Sequence, residues 1–141
     1  MAPMSMVELW DTSALIVALR SEDARKLLAD ALADDAVAVT EAITLEYLNG
    51  ARTLDEYDRE RARLGALRQV ATTPADWQRA LDVHRRLAAI GAGHQRSVQL
   101  LDLLIAAVAE RAGYAVVHVD SDYERIATIT GQPTRQLPWS A

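Results

Sequence analysis

The chain has 141 residues, 50% of them hydrophobic and 25% charged, which is the make-up of a single globular domain over 1–141 rather than of a disordered, collagen-like or membrane-spanning chain. It contains no cysteine, which excludes disulfides, thiol catalysis, iron–sulfur clusters and cysteine-bearing zinc sites and suits the reducing cytoplasm where the protein is expected to work. The formal net charge of −5 argues at first against a polyanionic partner, yet cations held by a few of the acids would offset most of it and leave the arginines free to meet phosphates.

The opening stretch MAPMSMVELWD has neither the basic start nor the long apolar centre of an export signal. Val7 to Trp10 reads as a strand ending at Asp11, and Thr12 or Ser13 can cap a helix through TSALIVAL. Ser21, followed by Glu22 and Asp23, opens a second helix. Its Ala24, Leu27, Leu28, Ala31 and Leu32 recur at helical spacing as far as Asp34. Ala36 to Val39 is a second strand, and Thr40 caps a third helix that carries Glu46 and runs to Arg52. Thr53 and Glu56 have capping-box spacing at the head of an arginine-rich helix with a partial apolar stripe of Leu54, Tyr57, Leu64 and Leu67.

In TTPADW, Thr73 stands at an N-cap, Pro74 at the first helical position and Asp76 three residues past the cap, so a helix runs from there to just before Gly91. Gly91 to Ser97 reads as a loop, after which Ser97 caps a helix from Val98 to Ala112 that Gly113 ends. The apolar centre of that helix, Val98 to Ala109, is too short to cross a bilayer and carries Asp102. Ala115 to Val119 is a third strand finishing at Asp120, Ser121 to Thr130 a last helix before Gly131, and RQLPW offers a short edge strand where Pro138 is tolerable.

Strands that alternate with helices, without internal repeats, imply an α/β protein: a central parallel sheet flanked by helices on both faces, α/β/α. Such sheets bind ligands beyond the carboxyl ends of their strands. Asp11 and Asp120 stand at two of those ends, with Asp122 two residues beyond. Glu46 and Asp102 lie in otherwise apolar helical runs, where an ionised carboxylate is costly without a partner. Each acid alone is satisfied by a helix cap or an arginine. Several acids converging on one edge repel each other, and a hard divalent cation with oxygen ligands relieves that repulsion.

Magnesium or manganese held by carboxylates can activate water and stabilise charge at phosphorus, so phosphodiester hydrolysis is the natural chemistry. His84, His94 and His118 are scattered and form no ligand pair, which makes each a packed or solvated histidine. A haloacid-dehalogenase-type phosphatase needs a second aspartate where Ser13 stands. A receiver domain needs a late lysine, but the lone lysine is Lys26. Gly91 and Gly93 make an isolated G-x-G, with Arg96 where a third glycine belongs.

In WDTSALI, LEYLNG, LLDLLIAAVAERAG and VVHVDSDYERIATITGQP the chain resembles, over nearly its whole length, the PIN-domain ribonucleases and among them the VapC-type toxins of toxin–antitoxin pairs. The resemblance implies a PIN-like fold with Asp11, Glu46, Asp102 and Asp120 as its acidic active site. Asp122 is then an additional or outer metal ligand, and Thr12 and Ser13 are supporting hydroxyls if they do more than cap a helix. It implies Mg2+ or Mn2+ as cofactor and RNA as substrate, cleaved endonucleolytically so that translation stops. It also implies a VapB-type antitoxin as partner, a homodimer, and a heterotetramer or larger assembly with the antitoxin, away from membranes.

Arg96 and His94, in the loop before Asp102, are candidate RNA contacts, with Arg85 and Arg86 on the preceding helix as further candidates or an ordinary solvated face. Leu101 replaces a common proline and Tyr123 a common phenylalanine of the family, and neither change removes a carboxylate. Two alternatives share these residues: a non-catalytic PIN-like module that binds RNA or protein, and a metal-dependent nuclease acting on DNA.

Overall fold

The computed structural model describes residues 6–139; residues 1–5, on which part of the export-signal reading rests, lie outside them. In chain order the elements are β1 (Glu8–Trp10), α1 (Thr12–Arg20), α2 (Glu22–Ala33), β2 (Val37–Val39), α3 (Glu41–Leu48), α4 (Leu54–Gly65), β3 (Arg68–Gln69), α5 (Pro74–Ile90), a 3₁₀ turn (His94–Ser97), α6 (Leu100–Ala112), β4 (Val116–His118), α7 (Ser121–Thr130) and β5 (Thr134–Gln136). The strands form one sheet in the order β3-β2-β1-β4-β5. Every pairing is parallel, and Leu9 on the central strand stands opposite Ala38 on one side and Val116 on the other.

Successive side chains of a strand point to opposite faces, yet all of Val37–Val39 and of Val116–His118 are buried, so helices cover the sheet on both sides. This is the expected α/β/α architecture. From β1 the chain moves outward to β2 and β3, then returns to lay β4 on the other side of β1. The β1/β4 boundary is thus where the strand order reverses, the place beyond the carboxyl ends where such sheets bind ligands. Asp11 and Asp120 follow those ends.

α6 is the most enclosed helix: Asp102 through Ala109 are all buried, as expected of a helix with apolar residues all round. Several boundaries differ from the sequence expectation. α3 stops at Leu48 rather than Arg52, because Asn49 and Gly50 close it with turns and Thr53 starts a new helix by accepting the Glu56 N–H at 3.1 Å. The reciprocal arm of that cap falls one residue early, the Glu56 carboxylate accepting the N–H of Arg52 at 3.1 Å.

β3 was not expected, since Arg68–Gln69 is a short, exposed, polar edge strand with no apolar alternation to mark it. Ser97 does not cap α6. Its hydroxyl donates back to the His94 carbonyl at 2.7 Å, and α6 begins at Leu100. β5 ends before Pro138, starting one residue earlier than RQLPW suggested.

Candidate metal centre

Asp11 is the N-cap of α1. Its Oδ2 accepts from the Ser13 backbone N–H at 3.2 Å and the Ser13 hydroxyl at 2.7 Å. The same hydroxyl accepts the Val119 N–H at 3.2 Å, tying the carboxyl end of β1 to that of β4. Asp120 is the N-cap of α7, its Oδ1 accepting the Asp122 N–H at 2.9 Å. Two helix N-termini, whose free N–H groups favour negative charge, therefore place their capping aspartates at the β1/β4 boundary. α3 brings in Glu46, half-buried, and the first turn of α6 brings in Asp102, 3% exposed.

One oxygen each of Asp11, Glu46 and Asp102 lie within 4.8 Å of one another, and so do oxygens of Asp102, Asp120 and Asp122. Asp102 belongs to both groups. Burial, and then the charges of Asp11 and Asp120, push its carboxyl up to about 8. Burial and the Asp11 carboxylate raise Glu46 as well, against a long hydrogen bond of 3.5 Å from the Thr12 hydroxyl. Asp102 Oδ2 is buried with no hydrogen-bond partner. A carboxylate-only donor set with an orphaned inner oxygen fits a hard divalent cation, which takes oxygen ligands and neutralises the repulsion.

Asp122 is a different case. Its Oδ2 accepts the Gln99 N–H at 3.0 Å, which caps α6, and its Oδ1 accepts from Arg125 at 3.0 Å. The arginine and helix-cap explanation holds for this acid, whereas Asp102 has no arginine beside it among its hydrogen bonds. Thr12 reaches the Ile43 carbonyl at 3.4 Å as well as Glu46, so both hydroxyls after Asp11 contact the site's acids or the segments that carry them. Of the candidate RNA contacts, His94 and Arg96 sit exposed on the 3₁₀ turn, and Arg125 joins that turn to α7 by donating to the Ser97 carbonyl at 3.0 Å. Arg85 is exposed on α5, and Arg86 pairs with Asp82 at 3.3 Å, as on a solvated face.

Two residues in the site were missed from sequence. Tyr123, 1% exposed, directs its hydroxyl between Asp11 Oδ1 at 2.7 Å and Asp102 Oδ1 at 3.1 Å. A tyrosine on the buried face of a helix needs a partner for its hydroxyl, and that need was the available signal. His118, fully buried, accepts the Asp120 N–H on Nδ1 at 3.1 Å, which leaves Nε2 to donate to Glu124 at 2.9 Å. It is a packed histidine, as expected, and it also braces the backbone of an acid of the site.

Residues 9–129 match the family model for the PIN domain. Ribonuclease VapC18 of Mycobacterium tuberculosis is 42% identical over 132 residues, covering 94% of this chain and 96% of the relative. Ribonuclease VapC51 of the same organism is 37% identical over 135 residues, covering 95% of each. Among solved structures, the DNA-bound VapBC of Salmonella typhimurium superposes with a TM-score of 0.73 at 18% identity, over 94% of this chain and 98% of that one. A fold with its acids at the β1/β4 boundary and relatives of matching length agree, and the chain belongs to the PIN-domain family and, within it, to the VapC ribonucleases.

Proposed function

We propose that this chain, acting as one PIN domain, is a divalent-metal-dependent endoribonuclease and the toxin of a VapB–VapC pair. The observation that carries the proposal is Asp102: a buried carboxylate shared by two acidic groups, with one oxygen left without a partner. Asp11, Glu46, Asp102 and Asp120 are the residues that would hold Mg2+ or Mn2+, with Asp122 behind them, already engaged by Gln99 and Arg125. Bound there, such an ion supplies a water nucleophile at neutral pH and charge stabilisation at the phosphodiester.

The chain's own residues prepare the centre. Ser13 and the N-terminus of α1 orient Asp11, the N-terminus of α7 and the His118 brace orient Asp120, and the apolar wall of α6 keeps water from screening Asp102. His94 and Arg96, exposed at the foot of α6, are placed to meet the backbone of an incoming strand.

Relatives named ribonucleases support RNA as the substrate. Neighbours solved as VapBC complexes support a VapB-type antitoxin as partner. Leu19 on α1 and Leu32 on α2, both exposed, add apolar surface suited to such a partner. Among the described residues no helix is long and apolar enough to cross a membrane.

The test is a structured RNA oligonucleotide beside its 2′-deoxy analogue, each incubated with purified protein in Mg2+ or Mn2+. Cleavage of the RNA alone supports the proposal. Equal cleavage of both moves the site to a general or DNA-directed nuclease, and cleavage of neither favours a binding module.

A further inference from the structure

We propose that Tyr123 is a positioning residue of the acidic centre: its hydroxyl ties Asp11 to Asp102 and so sets how tightly the centre holds a divalent cation. This rests on the metal-dependent reading above. Three separate segments meet at one oxygen, for Asp11 follows β1, Asp102 opens α6 and Tyr123 lies on α7. The hydroxyl donates to Oδ1 of Asp11 at 2.7 Å and shares that one proton with Oδ1 of Asp102 at 3.1 Å, so one oxygen of each carboxylate is anchored.

Once those are engaged, the remaining oxygens have fixed directions. Asp11 Oδ2 is held by Ser13, and Asp102 Oδ2 has no partner. The terminal torsion of an aspartate is otherwise soft, and two neighbouring carboxylates would turn apart to reduce their repulsion. A tether that prevents this turn keeps the ligand oxygens close before any ion arrives, which is the part of binding usually lost when an outer contact is removed.

The tether is itself held. Tyr123 is 1% exposed, and its ring lies against that of His118 with centroids 5.2 Å apart. His118 is pinned between the Asp120 N–H and Glu124. Glu124 in turn accepts from the Thr134 hydroxyl of β5 at 2.7 Å. A phenylalanine would fill the same volume and keep the ring contact, so the hydroxyl contributes to the acids rather than to the core.

The experiment is calorimetric titration of Mn2+ into wild type, Tyr123→Phe and Asp102→Asn, with thermal melts of each in EDTA. The proposal predicts Mn2+ binding weakened about tenfold or more in Tyr123→Phe, with a metal-free melting temperature lowered by no more than the few degrees that one lost buried hydrogen bond costs. Equal Mn2+ affinity in wild type and Tyr123→Phe overturns this inference and leaves the metal-dependent reading standing. Wild type that binds no better than Asp102→Asn overturns both. Weakened binding that comes with a collapsed metal-free melting temperature assigns the hydroxyl to the fold and overturns the inference. A near-ultraviolet difference spectrum of wild type on adding Mn2+ decides independently of how the variant folds: a perturbed tyrosine band, absent when Mn2+ is added to Asp102→Asn, supports the tether, and an unperturbed band overturns it.

Discussion

Asp102 carries most of the electrostatic cost of the site. A carboxyl pushed up to about 8 holds its proton in the folded chain at pH values where the unfolded chain has lost it. Its contribution to metal-free stability is therefore full below the ordinary aspartate value and is lost as pH rises through about 8. Urea unfolding in EDTA should show the midpoint falling from pH 6 to pH 8. Asp102→Asn, which cannot ionise, should be more stable than wild type at pH 8 by about 1–3 kcal/mol, a typical cost for a poorly compensated buried polar group. The same proton is displaced by a cation, so Mn2+ should bind wild type more tightly at pH 8 than at pH 6.

Ser13→Ala removes the bridge between Asp11 and Val119. It should destabilise by about 1–2 kcal/mol in thermal melts, because it leaves a buried acceptor and a backbone donor short of partners. The acids could be picked out of the sequence because a carboxylate at a strand end or in an apolar helix is out of place. Tyr123 carries a weaker signal, a buried hydroxyl's need for a partner, and nothing local names that partner, because Asp11 and Asp102 are distant in sequence.

At the level of elements, most helix starts were readable because their caps are local. Ser21 accepts the Ala24 N–H, and Thr73 donates its N–H and hydroxyl to Asp76. The start of α6 was not, because the group that serves it comes from another helix. The Asp122 carboxylate accepts the Gln99 N–H across a separation in sequence that no local pattern encodes. Asp122→Ala should therefore cost about 1 kcal/mol, in the range of a lost helix cap. Hydrogen exchange should quicken at the first amides of α6, the turn that carries Asp102, while the interior of α5 keeps its protection. β3 is not legible in the sequence for the related reason that an edge strand of Arg68 and Gln69 is defined by its pairing with Ala38 and Val39, not by its own side chains.

For the whole molecule, alternation of strand and helix was enough to give a parallel sheet, and the rule that ligands sit beyond its carboxyl ends was enough to direct attention to Asp11 and Asp120. The order β3-β2-β1-β4-β5 adds the reason those two ends in particular meet, since the chain reverses direction across the sheet between them. Binding only to the folded state, a cation at 100 times its Kd should raise stability by about 2.7 kcal/mol, so Mn2+ should lift the melting temperature of wild type and not of Asp102→Asn. The protein bears a net charge of −5, and an RNA strand must approach through a local basic feature. Arg96→Ala should lower kcat/KM several-fold with kcat little changed and flatten the salt dependence by about one ion.

The most direct measurement is cleavage of total cellular RNA by wild type and Asp102→Asn, purified identically, in Mn2+ and in EDTA. Discrete fragments from wild type in Mn2+ alone are the predicted result. Identical patterns from wild type and Asp102→Asn, or fragments that persist in EDTA, would contradict a ribonuclease centred on these acids.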